Sequence, residues 1–162
     1  MIRGVALYLA LFAGAQWLDR IVAVVDGAPI TQSDVAAAMQ LGLVPRAPGD
    51  PVSAAIDALV ERRLMLEEVD RYAPPDPPEA EITRRVEEIR LRAGARFNGV
   101  LAEVGLTEAQ LRREMRDDLR IDAYLQQRFG TTQPSEERAQ MIRDWVAGLR
   151  RRANINILPR NP

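Results

Sequence analysis

Residues 19–35 constrain the fold more than any other stretch, because they are typical of a small β-hairpin that leads into a helix. Ile21 to Val25 is rich in β-branched residues, and Asp26-Gly27 suits a two-residue turn that needs positive φ. Pro29 cannot donate a backbone hydrogen bond, so the second strand is expected to be short or to lie at an edge. A hairpin of this size is not stable alone, so another part of the chain must cover it.

The expected partner is near the other end of the sequence. From Asn154 to Leu158 polar and apolar residues alternate, as in a half-buried strand. Ile155 and Ile157 are expected to face the same core as alternate residues of the first strand. The sequence therefore predicts a mainly α protein with a small β-sheet formed by its N- and C-terminal strands.

Capping residues, glycines and prolines divide the intervening chain into helices. Their expected bounds are 31–41, 51–72, 79–93, 97–104, 108–129 and a last helix from 135 to about 152. Thr31, Asp50, Thr107 and Ser135 are the expected N-caps. The second helix has an apolar stripe broad enough for a central core element.

Two helices carry further expectations about which side chains share a face. In the first, Val35, Ala38 and Met39 lie on one side. In the long fifth helix the expected buried residues are Leu111, Met115, Leu119, Leu125 and Phe129.

Residues 1–15 are typical of a cleaved secretion signal. A short positive start, Met1 to Arg3, precedes an apolar run, and Ala13-Gly14-Ala15 matches a small-residue cleavage site. Gln16 is then the expected first mature residue, and residues 16–162 form one domain. An uncleaved anchor and a buried N-terminal helix are the alternatives. The apolar run is too short to span a bilayer as a helix.

Composition argues against several functional classes. The formal net charge of −1 does not favour nucleic-acid binding driven by counterion release. The sequence has no Cys and no His, which excludes disulfides, thiol catalysis and Ser-His pairs. No cofactor and no metal are expected. Every one of the 22 basic residues is Arg, which favours planar, fork-like contacts with carboxylates.

Charged clusters on the expected helices have ordinary explanations. Glu67-Glu68, Glu87-Glu88 and Asp117-Asp118 are expected to lie on solvated faces, paired with Arg three or four positions away. Arg150-Arg151-Arg152 is expected to complement the dipole of the last helix, with contact to an anionic partner as the alternative.

The order of these segments resembles the N-terminal chaperone domain of SurA-type periplasmic foldases. The strongest similarity lies in Arg20–Gly27 followed by Ile30–Val35. Ala58–Leu64 and Leu111–Arg116 agree with later helices of that domain, and Trp145–Leu158 resembles its closing helix and strand. The resemblance covers nearly the whole mature chain and implies a periplasmic location.

One departure from the family is informative. SurA-type proteins usually carry parvulin prolyl-isomerase domains between the long helix and the C-terminal helix, whereas here only Gly130–Gln133 separates Phe129 from Pro134. The parvulin fold commonly places His residues in its active site, and this chain has none. The resemblance therefore implies a chaperone domain without isomerase activity, and no enzyme.

Apolar residues outside the main helix stripes are candidates for a client-binding groove, because Met and loop-borne apolar groups adapt to varied partners. These candidate peptide-binding residues are Met39, Leu41, Leu43, Val44, Met65 and Phe97. The alternative is that they simply fill the core.

The resemblance implies a periplasmic holdase for unfolded, apolar-rich segments, in particular outer-membrane β-barrel proteins in transit. It implies no nucleic-acid partner and no stable membrane insertion after signal cleavage. The alternative is an envelope adaptor or subunit that binds one dedicated partner through the same groove.

Overall fold

The computed structural model describes residues 19–45, 48–130 and 135–159. Their elements, in chain order, are β1 Ile21–Val25, β2 Ala28–Thr31, α1 Gln32–Gln40, α2 Pro51–Tyr72, α3 Glu79–Ala93, α4 Phe97–Glu103, α5 Glu108–Phe129, α6 Ser135–Arg152 and β3 Ile155–Ile157. The fold is mainly helical with a small antiparallel sheet made from N- and C-terminal strands, as predicted. The expected signal sequence and the connector residues 131–134 lie outside the described residues.

The hairpin closes through the predicted two-residue turn. Asp26 and Gly27 both have positive φ, at 47° and 89°, which is the backbone sign that a tight hairpin turn needs. The β1–β2 register shifts between Ile21 and Ala23, so Val22 is inserted at a bulge. Pro29 is exposed on β2, which is an edge strand of the sheet, as expected.

The predicted pairing of the two ends is confirmed, because the strand order is β2-β1-β3. β3 runs antiparallel to β1, with Ile155 opposite Val25. Backbone hydrogen bonds extend the ladder at both ends: the Asp26 amide donates to the Asn154 carbonyl at 2.9 Å, and the Leu158 amide donates to the Val22 carbonyl at 2.9 Å. β1 is therefore the central strand.

Ile155 and Ile157 lie on the same face of the sheet as Ala23 and Val25, as expected, but Ile157 is left largely uncovered there. Ile155 packs against the core, whereas the Ile157 side chain is 46% exposed. The strand opposite them is fully buried at Ala23 and Val25, which are both 0% exposed. Because β3 is an outer strand, its side chains have a neighbouring strand on one flank only, and Ile157 remains open on the other.

The predicted helix starts are confirmed for α1, α2 and α5. The Thr31 amide donates to an Asp34 carboxylate oxygen at 2.8 Å, and the Asp34 amide donates back to Thr31 Oγ1 at 3.3 Å. Thr107 and Gln110 form the same reciprocal capping box at the start of α5. Asp50 caps α2 ahead of a proline at the first helical position. The expectation that Ser135 is an N-cap is wrong, because Ser135 is already the first helical residue of α6; the residue before it is outside the described part.

α2 is the central core element, as its apolar stripe predicted. We define three groups of buried residues, two of which include α2. The sheet core contains Val22, Ala23, Val25, Ile30, Val35, Ala55, Ile56, Val60, Leu64 and Leu149. The helical core contains Leu41, Ile82, Val86, Ile89, Phe97, Val100, Leu101, Leu111, Met115 and Leu119. The joining cluster contains Leu66, Val69, Ile121 and Tyr124.

The buried side of α5 differs from the prediction in its second half. Ile121 and Tyr124 are buried at 5% exposure each, whereas Leu125 and Phe129 are only half-buried. α5 packs against α3 with its first half and against α2 and α6 further along. The buried face therefore rotates with the change of neighbour, which helical periodicity alone does not reveal.

Arginine side chains tie the helices together across their interfaces. Arg85 of α3 binds Asp122 of α5 at 3.0 Å, and Arg120 of α5 binds Asp70 of α2 at 2.7 Å. Arg150 of α6 reaches two carboxylates of α2, at Asp57 and Glu61. Part of the Arg150–Arg152 run thus joins two helices in addition to lying at a helix C-terminus.

Candidate functional site

A large open depression lies where α1 ends and the loop to α2 begins. We call it the loop groove, and its volume is about 550 Å³. It is lined by Met39, Gln40, Leu41, Gly42, Val44, Pro45, Gly49, Pro51, Arg92 and Ala93. This volume falls within the range of about 300–1,000 Å³ that is common for ligand sites. Residues 46 and 47 of the same loop are outside the described part.

A second, smaller depression adjoins the groove and shares Val44 with it. We call it the interhelical cleft, and its volume is about 80 Å³. Its apolar lining is Ile30, Ala37, Ala38, Leu43, Val44, Leu59 and Leu106, and its charged lining is Asp34, Arg62, Arg63, Glu114 and Asp118. The two depressions therefore meet at an apolar side chain, Val44.

Met39 supplies exposed apolar surface at the groove, where its side chain is 40% exposed. Val35 and Ala38, which share the predicted side of α1 with Met39, are buried together with Ala37, so Met39 is the exposed member of that side. Met39 lies in the last turn of α1 and borders the open loop, whereas Val35 lies under the sheet core. A flexible thioether at the rim of an open groove suits contacts with partners of varied shape.

The other candidate residues are separated by the fold. Leu43 and Val44 are half-buried along the groove and cleft. Leu41 and Phe97 are 4% and 3% exposed and belong to the helical core, and of the two only Leu41 lines the groove. Met65 is half-buried between the sheet core and the joining cluster, away from both depressions.

Arg62 of α2 organises the charged end of the cleft. Its guanidinium binds the Glu114 carboxylate at 3.0 Å and Asp118 at 2.7 Å, and it donates to the Glu114 carbonyl oxygen at 3.1 Å. The Arg62 side chain is only 22% exposed, so these charge-assisted bonds are partly shielded from water. One cation thus holds two carboxylates of α5 against α2.

The pKa values at this end follow from burial and from the excess of acidic groups. Burial acts to lower the pKa of Arg62, but the charges of Asp118 and Glu114 raise it above its usual value. Burial raises the pKa of Glu114, Arg62 lowers it, and Asp117 and Asp118 add to the rise, with a net upward shift. The cleft therefore stabilises the charge of Arg62 and disfavours the charge of Glu114.

As pH rises from 4 to 7, we expect the free energy of unfolding of the Glu114→Gln variant to increase relative to that of the native protein. Because the pKa of Glu114 is raised, the folded chain binds this proton more tightly than the unfolded chain. The native free energy of unfolding therefore falls as pH rises through the window above the ordinary glutamate pKa. The Glu114 side chain is 44% exposed, so the difference should stay below about 1 kcal/mol. Urea unfolding at both pH values measures it.

Glu88→Gln is the matched control, because Glu88 is also 44% exposed and pairs with Arg84 on the same helix at 3.0 Å. Loss of that exposed pair should cost less than about 1 kcal/mol. If the Glu114→Gln variant instead loses stability relative to the native chain between pH 4 and pH 7, the pKa of Glu114 is not raised in the folded protein.

The local acid–arginine pairs could be predicted from the sequence, but the pairs that cross between helices, including the one in the cleft, could not. Glu68, Glu87 and Glu88 each pair with an Arg three or four positions away, as expected. Asp118 was expected to do the same and instead binds Arg62 on another helix. The only relevant signal was the absence of Lys, since planar guanidinium groups suit shared contacts of this kind.

The described residues hold no group of three or more acidic side chains placed to bind a metal ion. In the same residues, no helix is long and apolar enough to cross a membrane.

Comparison with known proteins adds no assignment to the groove or the cleft. No model of a known protein family matches the chain, and a search of curated proteins found no match either.

Proposed function

We propose that this chain is a periplasmic, non-enzymatic holdase that binds unfolded, apolar-rich polypeptide segments, in particular those of outer-membrane β-barrel proteins. The loop groove is the observation that carries the proposal. It is open, it has a volume of about 550 Å³, and the exposed side chain of Met39 forms part of its wall. Such a groove can contact many apolar side chains without a fixed geometry.

Three further features support a binding role. The groove continues into the apolar lining of the interhelical cleft through Val44. Its base is formed by Leu41, which is packed in the helical core, so the site lies on a rigid support. The helices and the terminal sheet have the architecture expected from the resemblance to SurA-type N-terminal domains. Client binding would rest on apolar burial, with weak and reversible contacts.

The proposal predicts that the chain without residues 1–15 slows aggregation of an unfolded outer-membrane barrel protein at near-stoichiometric ratio. Light scattering after dilution of the barrel protein from urea measures this effect. Met39→Ser should reduce the delay several-fold, because it removes exposed apolar surface from the groove.

Leu91→Ser is the matched control. Leu91 is 79% exposed on α3 and does not line the groove, so this variant should retain the native delay. Absence of any delay at excess chain would refute the holdase proposal, and equal effects of the two variants would refute the groove assignment. Crosslinking that recovers a single recurring envelope partner, instead of many unfolded clients, would favour a dedicated adaptor.

A further inference from the structure

The two outer edges of the sheet are chemically different. In the β1–β3 ladder, the bonds at Asp26 and Val22 show that the even-numbered residues of β1 direct their backbone groups toward β3. In an antiparallel sheet alternate residues point to opposite sides, so Ala23 and Val25 direct theirs toward β2. The same alternation assigns the groups that point outward on each edge strand.

On β2 the outward-facing position is Pro29. Pro29 lies opposite Val24 of β1. Its neighbours Ile30 and Ala28 lie opposite Ala23 and Val25, respectively. Since Pro29 has no N–H, this edge lacks a donor in the middle of the strand, which is one way that proteins prevent pairing with another strand.

On β3 the outward-facing positions are Ile155 and Ile157. Asn154 and Leu158 make the backbone bonds to β1, so the amides and carbonyls of the two isoleucines point away from it. Both residues have an N–H group to donate. Within residues 19–45, 48–130 and 135–159, no strand pairs with this edge.

An apolar depression lies beside the open edge. It is lined by Ser53, Ile56, Asp57, Ile157 and Leu158, with a volume of about 240 Å³. Ile157 lies opposite Ala23 and shares its face of the sheet, which is the face covered by α2. A side chain on an added strand, directly opposite Ile157, would point to this same face and could enter the depression.

We propose that β3 is a second client-binding element, which takes up an extended segment of unfolded polypeptide as an additional strand. The unpaired amides and carbonyls of Ile155 and Ile157 specify an extended backbone as the occupant, and the depression specifies an apolar side chain on one face. Segments of outer-membrane barrels alternate apolar and polar residues, which matches one covered and one solvated face. This inference rests on the proposed holdase function for the identity of the occupant.

Amide hydrogen exchange on the same purified protein tests the proposal with a defined probe, a short soluble peptide that alternates valine and threonine. At a peptide concentration that occupies most molecules, exchange at the Ile155 and Ile157 amides should slow by about tenfold, because it then requires release of the peptide. A peptide N-methylated on the residues that face β3 should give no protection, whereas methylation of the alternate residues should leave protection intact.

Ile157→Pro should abolish protection at Ile155, because it removes the outward donor from an edge position that tolerates proline. Ile21→Thr is the matched control, since Ile21 is 41% exposed on the same sheet but belongs to the central strand. If the proline variant unfolds, the pair of methylated peptides still decides the question.

Several outcomes would overturn the proposal. Fast exchange at both amides with millimolar peptide would show that the edge does not accept a strand. Protection without peptide would show that another occupant holds the edge. That occupant is a second copy if the protection depends on protein concentration, and the chain's own remaining residues if it does not. Aggregation suppression that persists while the amides stay unprotected would leave the holdase function intact and reject this element alone.

Discussion

A chain that ends after Ala153 should lose most of its cooperative unfolding transition, whereas a chain that ends after Pro159 should keep it. The shorter truncation removes β3 from the central strand. It deletes the bonds from the Asp26 amide to Asn154 at 2.9 Å and from Leu158 to Val22 at 2.9 Å, and it uncovers the sheet core beneath Ile155. Three or four backbone bonds and one apolar side chain contribute roughly 3–6 kcal/mol.

That loss is a large part of the free energy of unfolding, which is typically about 5–15 kcal/mol for a domain. Thermal and urea unfolding followed by circular dichroism measures it. The longer truncation retains β3 and the bond from Arg20 to the Pro159 carbonyl at 2.7 Å, so it controls for shortening of the chain. An unchanged transition in the chain that ends after Ala153 would show that β3 contributes little to stability.

Arg62→Met should destabilise the protein by about 2–4 kcal/mol at pH 7. The substitution keeps an apolar stem of similar length but removes the cation that binds Glu114 and Asp118. The two carboxylates would then lose the guanidinium that binds both of them. Breaking a partly buried pair by removing one partner costs more than the pair itself contributes, because the remaining charges lose their solvation without compensation.

The effect of Arg62→Met should shrink at pH 4, where protonation relieves the repulsion between Glu114 and Asp118. Adding Glu114→Gln and Asp118→Asn to the variant should recover part of the loss at pH 7. Arg71→Met is the control, since Arg71 is 74% exposed and binds Glu68 on its own helix, so it should cost less than about 0.5 kcal/mol. Equal losses in the two variants would show that Arg62 is an ordinary surface residue.

Much of the fold could be predicted because its signals are local. The turn at Asp26-Gly27 and the capping boxes at Thr31 and Thr107 depend on residues within three positions of each other. These short-range contacts form in the same way in many tertiary environments. The bounds of α2 and α5 therefore agree with the expected ranges to the residue.

The candidate site could be predicted only in part. The sequence places apolar residues at the end of α1 and in the following loop, and the structure brings Met39, Leu41 and Val44 around one groove. It also buries Phe97 in the helical core and places Met65 elsewhere. Sequence reasoning could not separate these cases, because residues on the same helical stripe are exposed or buried according to which neighbour lies opposite them.

The sequence by itself determined the local elements: one hairpin, a closing strand, and helices of which α1, α2 and α5 start at identifiable caps. Only the tertiary structure decided which cation meets which carboxylate, as for Arg62 and Asp118, and which isoleucine of β3 is covered. The physical reason is distance along the chain. Caps and turns are set by neighbours in sequence, whereas burial, shared ion pairs and open strand edges depend on how separate elements cross in space.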